Sequence, residues 1–205
     1  MTSDRIRRGM SDGGSSPSSD SMQLSTQVDV SFRRAALADV PAVVALVESA
    51  FRGEGSRLGW TTEADLLDGQ RTDSTEVGGL IAHSASCIVL AERDGALLGC
   101  VKVVREATAG VIGMVSVSPS LQRAGVGRAL LAEAERVISL DWGLPRATMT
   151  VIVQRDTLIA WYLRRGYRRT GVITPFPYGQ PRFGLPKRID LAFEHLEKDL
   201  GLHQP

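Results

Sequence analysis

The sequence predicts one α/β (α+β) domain: a mixed, mostly antiparallel sheet of six to seven strands flanked by helices. Three observations carry that reading. Several short runs alternate apolar and polar residues with the period of a half-buried strand. Two of them flank Arg93-Asp94-Gly95, a hairpin turn. In the second half, strand-like runs alternate with helical ones, as βαβ units do. The 205 residues suffice for one domain with a real core.

The elements follow in chain order. Residues 1–27, rich in Ser, Gly and Asp, lack the apolar side chains that offset ordering entropy, and are expected to be a disordered or loosely attached leader. The domain is expected over 28–205. Residues 28–32 alternate as a first strand. Asp39 is expected to cap a helix with Pro41 in its first turn, and Val40, Val43, Val44, Leu46, Val47, Ala50 and Phe51 recur at helical spacing. A short helix is expected over 61–67, capped by Thr61 or Thr62, and another over 74–82. Strands are expected over 87–92, 97–104 and 110–117, then a helix over 121–140. A strand over 147–153, a helix over 156–165, a strand over 167–172 and a last strand over 189–196 complete the set.

Composition narrows the function. Hydrophobic residues make up 43% and charged residues 23%, a globular balance. The net charge is +1, from 24 basic and 23 acidic residues, so there is no general footprint for nucleic acid or an acidic membrane. Any anion site must be local. No apolar run follows Arg5, Arg7 and Arg8, and no span of about 20 apolar residues occurs, so a cytoplasmic location is expected. Cys87 and Cys100 sit in apolar strand-like runs and read as core thiols. His83, His195 and His203 form no ligand cluster, and no metal is expected.

The most informative stretch is 115–131. A strand through Val115, Ser116 and Val117 ends near Pro119, and a helix begins near Gly125. A helix start leaves its first N–H groups unpaired and positively polarised. Gly125 and Gly127 let the backbone approach a phosphate, and Gln122, Arg123 and Arg128 add side-chain donors. A Walker loop needs Gly-Lys-Ser/Thr, which is missing, and a dinucleotide fingerprint needs a small residue where Leu130 stands.

Gln122-x-x-Gly125-x-Gly127 after Val117 and Pro119 resembles the GNAT superfamily of acetyl-CoA-dependent N-acetyltransferases. A second segment agrees: Trp161, Tyr162, Gly166 and Tyr167 reproduce aromatic-Tyr-x-x-x-Gly-aromatic. The resemblance covers roughly residues 28–200. It implies an acyl-CoA N-acyltransferase domain with acetyl-CoA as cosubstrate, its pyrophosphate on the amides of 123–128, including Ala124 and Val126. It also implies a strand bulge near Met114, Val115, Ser116 and Val117 whose main-chain donors hold the pantetheine and polarise the thioester. Tyr162 is the expected catalytic acid: a phenol can protonate the departing thiolate.

Two departures matter. Many relatives carry Asn seven residues before this tyrosine; here Arg155 stands there, between Gln154 and Asp156, so the pantetheine contact is lost, moved to Gln154, or made by Asp156. Met114 stands near the place where several relatives carry a Glu base, leaving Ser116 and Ser118 as candidates for a water wire. The acceptor, a small-molecule or peptide amine, is expected near Trp60, Glu63 and Tyr178; Glu63 and Asp65 either select a cation or complement a helix dipole. Arg164, Arg165, Arg168 and Arg169 meet a cofactor phosphate or form a solvated face. Exposed sheet edges leave a homodimer open. A non-catalytic acyl-CoA-binding domain of the same fold is the competing reading.

Overall fold

The computed structural model describes residues 30–122 and 124–201; the leader expected over 1–27 lies outside them. Nine strands form: β1 Ser31–Arg34, β2 Leu67–Asp68, β3 Ser86–Arg93, β4 Ala96–Arg105, β5 Gly110–Val117, β6 Arg146–Ile152, β7 Arg168–Pro175, β8 Leu185–Pro186 and β9 Ala192–Asp199. The helices are α1 Val40–Phe51, the single turn α2 Gly53–Ser56, α3 Ser74–Ala82, α4 Val126–Arg136 and α5 Asp156–Leu163. Seven strands make one sheet in the order β1-β3-β4-β5-β6-β9-β7, and β2 pairs with β8 apart from it. The expected mixed sheet is thus present, with seven strands. Only β5 and β6 pair in parallel; β9 inserts antiparallel between β6 and β7.

The sheet is covered on both faces. On one, Val43 and Val47 of α1 and Val77 of α3 pack on Ile88, Leu90, Cys100 and Met114. On the other, Leu130 and Leu131 of α4 and Ile159 of α5 pack on Val89, Val101, Val103 and Ile112. This two-sided burial explains why β3, β4 and β5 read as near-continuous apolar runs. Between β3 and β4, Asp94 (φ 51°) and Gly95 (φ 76°) both take the left-handed conformation that a tight hairpin turn requires. Cys87 and Cys100 are buried free thiols. No helix among the described residues is long and apolar enough to cross a membrane.

Several expectations need correction. Residues 61–67 form no helix. Glu63 is drawn inward by two arginines, only one turn follows it, and Leu67–Asp68 then leaves as a strand. Asp39 precedes α1, but its carboxylate caps nothing there. It accepts from the Ala36 N–H at 2.7 Å and from both terminal nitrogens of Arg33. Helix α4 starts at Val126 rather than 121, because Pro119–Leu121 forms a separate 3-10 turn, and a π-helical turn over Val137–Asp141 ends it. The last strand starts at Ala192, and Ile189 is 94% exposed.

Candidate active site

The site begins with a flaw in the sheet. The parallel strands β5 and β6 pair only through Gly110 with Ala147 and Val111 with Thr148. Beyond that they part, and a cavity of about 1080 Å³ opens between them, walled by Ile112, Met114 and Val115 on one side and Met149, Thr150 and Ile152 on the other. Tight packing holds the closed end of this wedge. A side chain on Gly110 would collide with Ile138 of the π turn.

Strand β5 is also bulged. Cys100 faces Ser116 but Lys102 faces Gly113, so Met114 and Val115 together oppose Val101. Met114 takes φ 52°, which costs a non-glycine residue about 1–3 kcal/mol. The bulge falls at the cavity wall, where it re-aims main-chain groups. The hydroxyl of Ser116 donates to the Met114 carbonyl at 3.1 Å, and that of Ser118 meets Ser120. Neither serine lines the cavity.

One end of the cavity is the start of α4. Gly125, at φ 86°, is its N-cap, and among the described residues no side chain caps the first N–H groups, which suit an anion. Gly125, Gly127 and Arg128 line this end with Arg164 and Arg165 of the α5 C-terminal turn. Gln122 also lines the cavity, and its Oε1 accepts the Trp60 N–H at 3.0 Å. Gly59 lies so close that a side chain there would overlap the Gln122 amide. Trp60 is thereby held 6.3 Å from Trp161, and Arg165 covers the Trp161 ring at 3.5 Å.

Tyr162 stands midway. It is 5% exposed, lines the cavity, and packs edge-on against Trp161 at 5.0 Å and Tyr167 at 5.8 Å. Burial pushes its phenol up to about 12, against the opposing pull of Arg155 and Arg165. It therefore stays protonated through the neutral range.

The other end holds a buried ion cluster. Glu63 accepts from Arg52 at 2.6 Å through one carboxylate oxygen and from Arg155 at 2.8 Å through the other. Burial raises the Glu63 pKa, but Arg155, Arg71 and Arg52 outweigh it, so the carboxyl lies below its ordinary value. Arg155 also donates to the Thr61 hydroxyl at 2.8 Å. Arg155, which stands in the relatives' Asn position, is thus tied to the Glu63 end of the cavity. Gln154 donates to the Asp190 carbonyl, and Asp156 is exposed in the first turn of α5; neither lines the cavity.

Of the residues singled out from sequence, Val115, Val117, Gln122, Gly125, Gly127, Arg128, Tyr162, Trp60 and Glu63 come together around the cavity. Ser116 and Val126 are buried beside it, Ala124 is exposed, and Arg123 lies outside the described residues. Tyr178 stays apart, its hydroxyl accepting the Leu191 N–H and donating to the Arg188 carbonyl. Sequence reasoning missed Arg71 and Lys102, which both line the cavity. A lysine inside an otherwise apolar strand was the available signal for Lys102.

Residues 84–169 match the family model for the acetyltransferase (GNAT) domain. Solved structures agree in fold. A ribosomal-protein-alanine N-acetyltransferase from Brucella melitensis is 20% identical, with a TM-score of 0.60, covering 82% of this chain and 99% of its own. The ribosomal-protein-S18-alanine N-acetyltransferase from Escherichia coli is 14% identical, with a TM-score of 0.60 and coverage of 85% and 96%. A spermidine N-acetyltransferase chimera from Vibrio cholerae is 14% identical, with a TM-score of 0.61 and coverage of 83% and 95%. No curated protein matches the chain.

Proposed function

We propose that the protein is an N-acetyltransferase that transfers the acetyl group of acetyl-CoA directly to an amine within a ternary complex. The observation that carries the reading is the wedge itself. One cavity joins the uncapped start of α4 to Tyr162 and to a separate polar chamber. The residues fit acetyl-CoA: polarised N–H groups with Arg128, Arg164 and Arg165 suit its phosphates, and the parted strands suit its pantetheine arm.

When bound, the cosubstrate supplies a thioester carbonyl as electrophile. The bulged main chain at 114–117 orients and polarises that carbonyl. The uncharged amine attacks the carbonyl carbon, a C–N bond forms and the C–S bond breaks. Tyr162 gives its proton to the departing sulfur, and the surplus proton of the amine leaves to water. Tyr162 regains a proton from solvent, which its raised pKa favours. No covalent acyl-enzyme is required, and Cys100, its thiol pushed up to about 12 by burial, is unsuited to nucleophilic work. A cytoplasmic setting is part of the proposal, supported by two buried free thiols.

The test is amine-dependent release of free CoA. Tyr162→Phe is expected to lower kcat by about 10²-fold or more while acetyl-CoA affinity stays within a few fold. Acetyl-CoA binding without turnover of any amine would favour the binding-domain reading instead.

A further inference from the structure

The chamber beyond Tyr162 holds two cations that no carboxylate among the described residues pairs with directly. Arg71 and Lys102 line it, and neither makes an ion pair among the described residues. Of the carboxylates nearby only Glu63 is paired with cations, while Asp73 and Glu76 accept from neutral donors and keep their charge. Glu63 is held by Arg52 and Arg155, Asp73 caps α3 through the Glu76 N–H, and Glu76 accepts from the Thr72 hydroxyl at 2.8 Å.

The geometry also fixes where an anion would sit. Lys102 extends across Gly113: a Cβ at that glycine would stand 3.1 Å from its Cε and 3.7 Å from its Nζ. Gly113 immediately precedes the bulged Met114, so the ammonium lies beside the stretch assigned to the thioester. An anion on Lys102 can then be only a short distance from the attacking nitrogen. Arg71 bounds the same space, stacked 5.2 Å from the centre of the Phe51 ring. Phe51, Phe176 and Phe193 give the cavity apolar walls.

We propose that the acceptor is an α-amino acid with an apolar side chain, its carboxylate held between Lys102 and Arg71. The proposal rests on the acetyltransferase reading and adds a substrate class to it. In an α-amino acid a single carbon separates amine and carboxylate, matching the closeness of Lys102 to the bulge. Burial and then Arg71 lower the Lys102 pKa, with Glu76 opposing; a bound carboxylate relieves this repulsion. Lys102 and Arg71 act here as specificity residues and take no part in the bond exchange.

The experiment compares L-phenylalanine, L-phenylalaninamide and spermidine as acceptors at saturating acetyl-CoA. L-Phenylalanine is expected to exceed both others in kcat/KM by about 10-fold or more, the weight of one charge-assisted hydrogen bond. The amide has the less basic amine, so chemistry alone works against this outcome. In Lys102→Met and in Arg71→Gln the ratio between L-phenylalanine and its amide is expected to fall about 10-fold. Acetyl-CoA affinity, measured on each variant, certifies the fold. As a readout apart from turnover, N-acetyl-L-phenylalanine added to saturating CoA should raise the melting temperature of the wild type above that with CoA alone, and should add nothing in Lys102→Met. A preference for the amide or for spermidine, or a ratio unmoved in both variants, would overturn the assignment and leave acetyl transfer standing. Failure of acetyl-CoA to bind overturns the underlying reading instead.

Discussion

Glu63 is the residue on which the polar end of the cavity is built. Removing one partner of a buried ion pair strands the other charge, so Glu63→Ala should cost about 3–5 kcal/mol by leaving Arg52 and Arg155 uncompensated. A fall in the urea midpoint at unchanged m-value measures it. A second residue sets an acid limit. The Arg33 hydrogen bonds, then the Ala36 N–H, hold the Asp39 carboxyl down at about 2. A depressed carboxyl stabilises the fold above its unfolded pKa and loses that contribution as pH falls through the folded one. The loss should therefore run from about pH 4 to pH 2. Asp39→Asn should flatten that segment of the stability profile, modestly, because the pair is near the surface. Tyr162 was legible in the sequence because its neighbours Trp161, Gly166 and Tyr167 mark it. Arg71 was not, since nothing local distinguishes an arginine stacked on Phe51 from one in solvent.

Among the elements, β5 does most to position the site, through its bulge and its early separation from β6. Gly110 stands where the two strands still pair. Gly110→Ala should destabilise the protein by about 1–3 kcal/mol through overlap with Ile138. It should also weaken acetyl-CoA binding if the wedge shifts with it. Calorimetric unfolding and titration of the same variant give both numbers. The glycines of the α4 start, the Asp-Gly hairpin and the strand 110–117 were readable because each rests on local chemistry. The stretch 61–67 was not, because its path is set by arginines 11 residues before Glu63 and 92 after it. The same holds for the end of the chain, where pairing with β6 and β7 starts β9 at Ala192 and leaves Ile189 outside the sheet.

For the molecule as a whole, a sheet parted along one seam should gain from a ligand that fills it. A ligand at 100 times its dissociation constant adds about 2.7 kcal/mol, so acetyl-CoA should raise the melting temperature by about 5–10 °C. Hydrogen exchange should slow at the cavity walls, around 112–117 and 149–152, and change little in β1 and β3. The Glu63 cluster carries a further consequence, for the order of events in time. Its floor joins Arg52 and Glu63 to Arg155, a closure across 92 positions. During synthesis the first two can meet early, but the chamber lacks its third wall until β6 and α5 have emerged and docked. The hairpin of β3 and β4 can be in place while this end of the cavity is still open. The finished chamber therefore arrives late and at once, with the closing of a long loop.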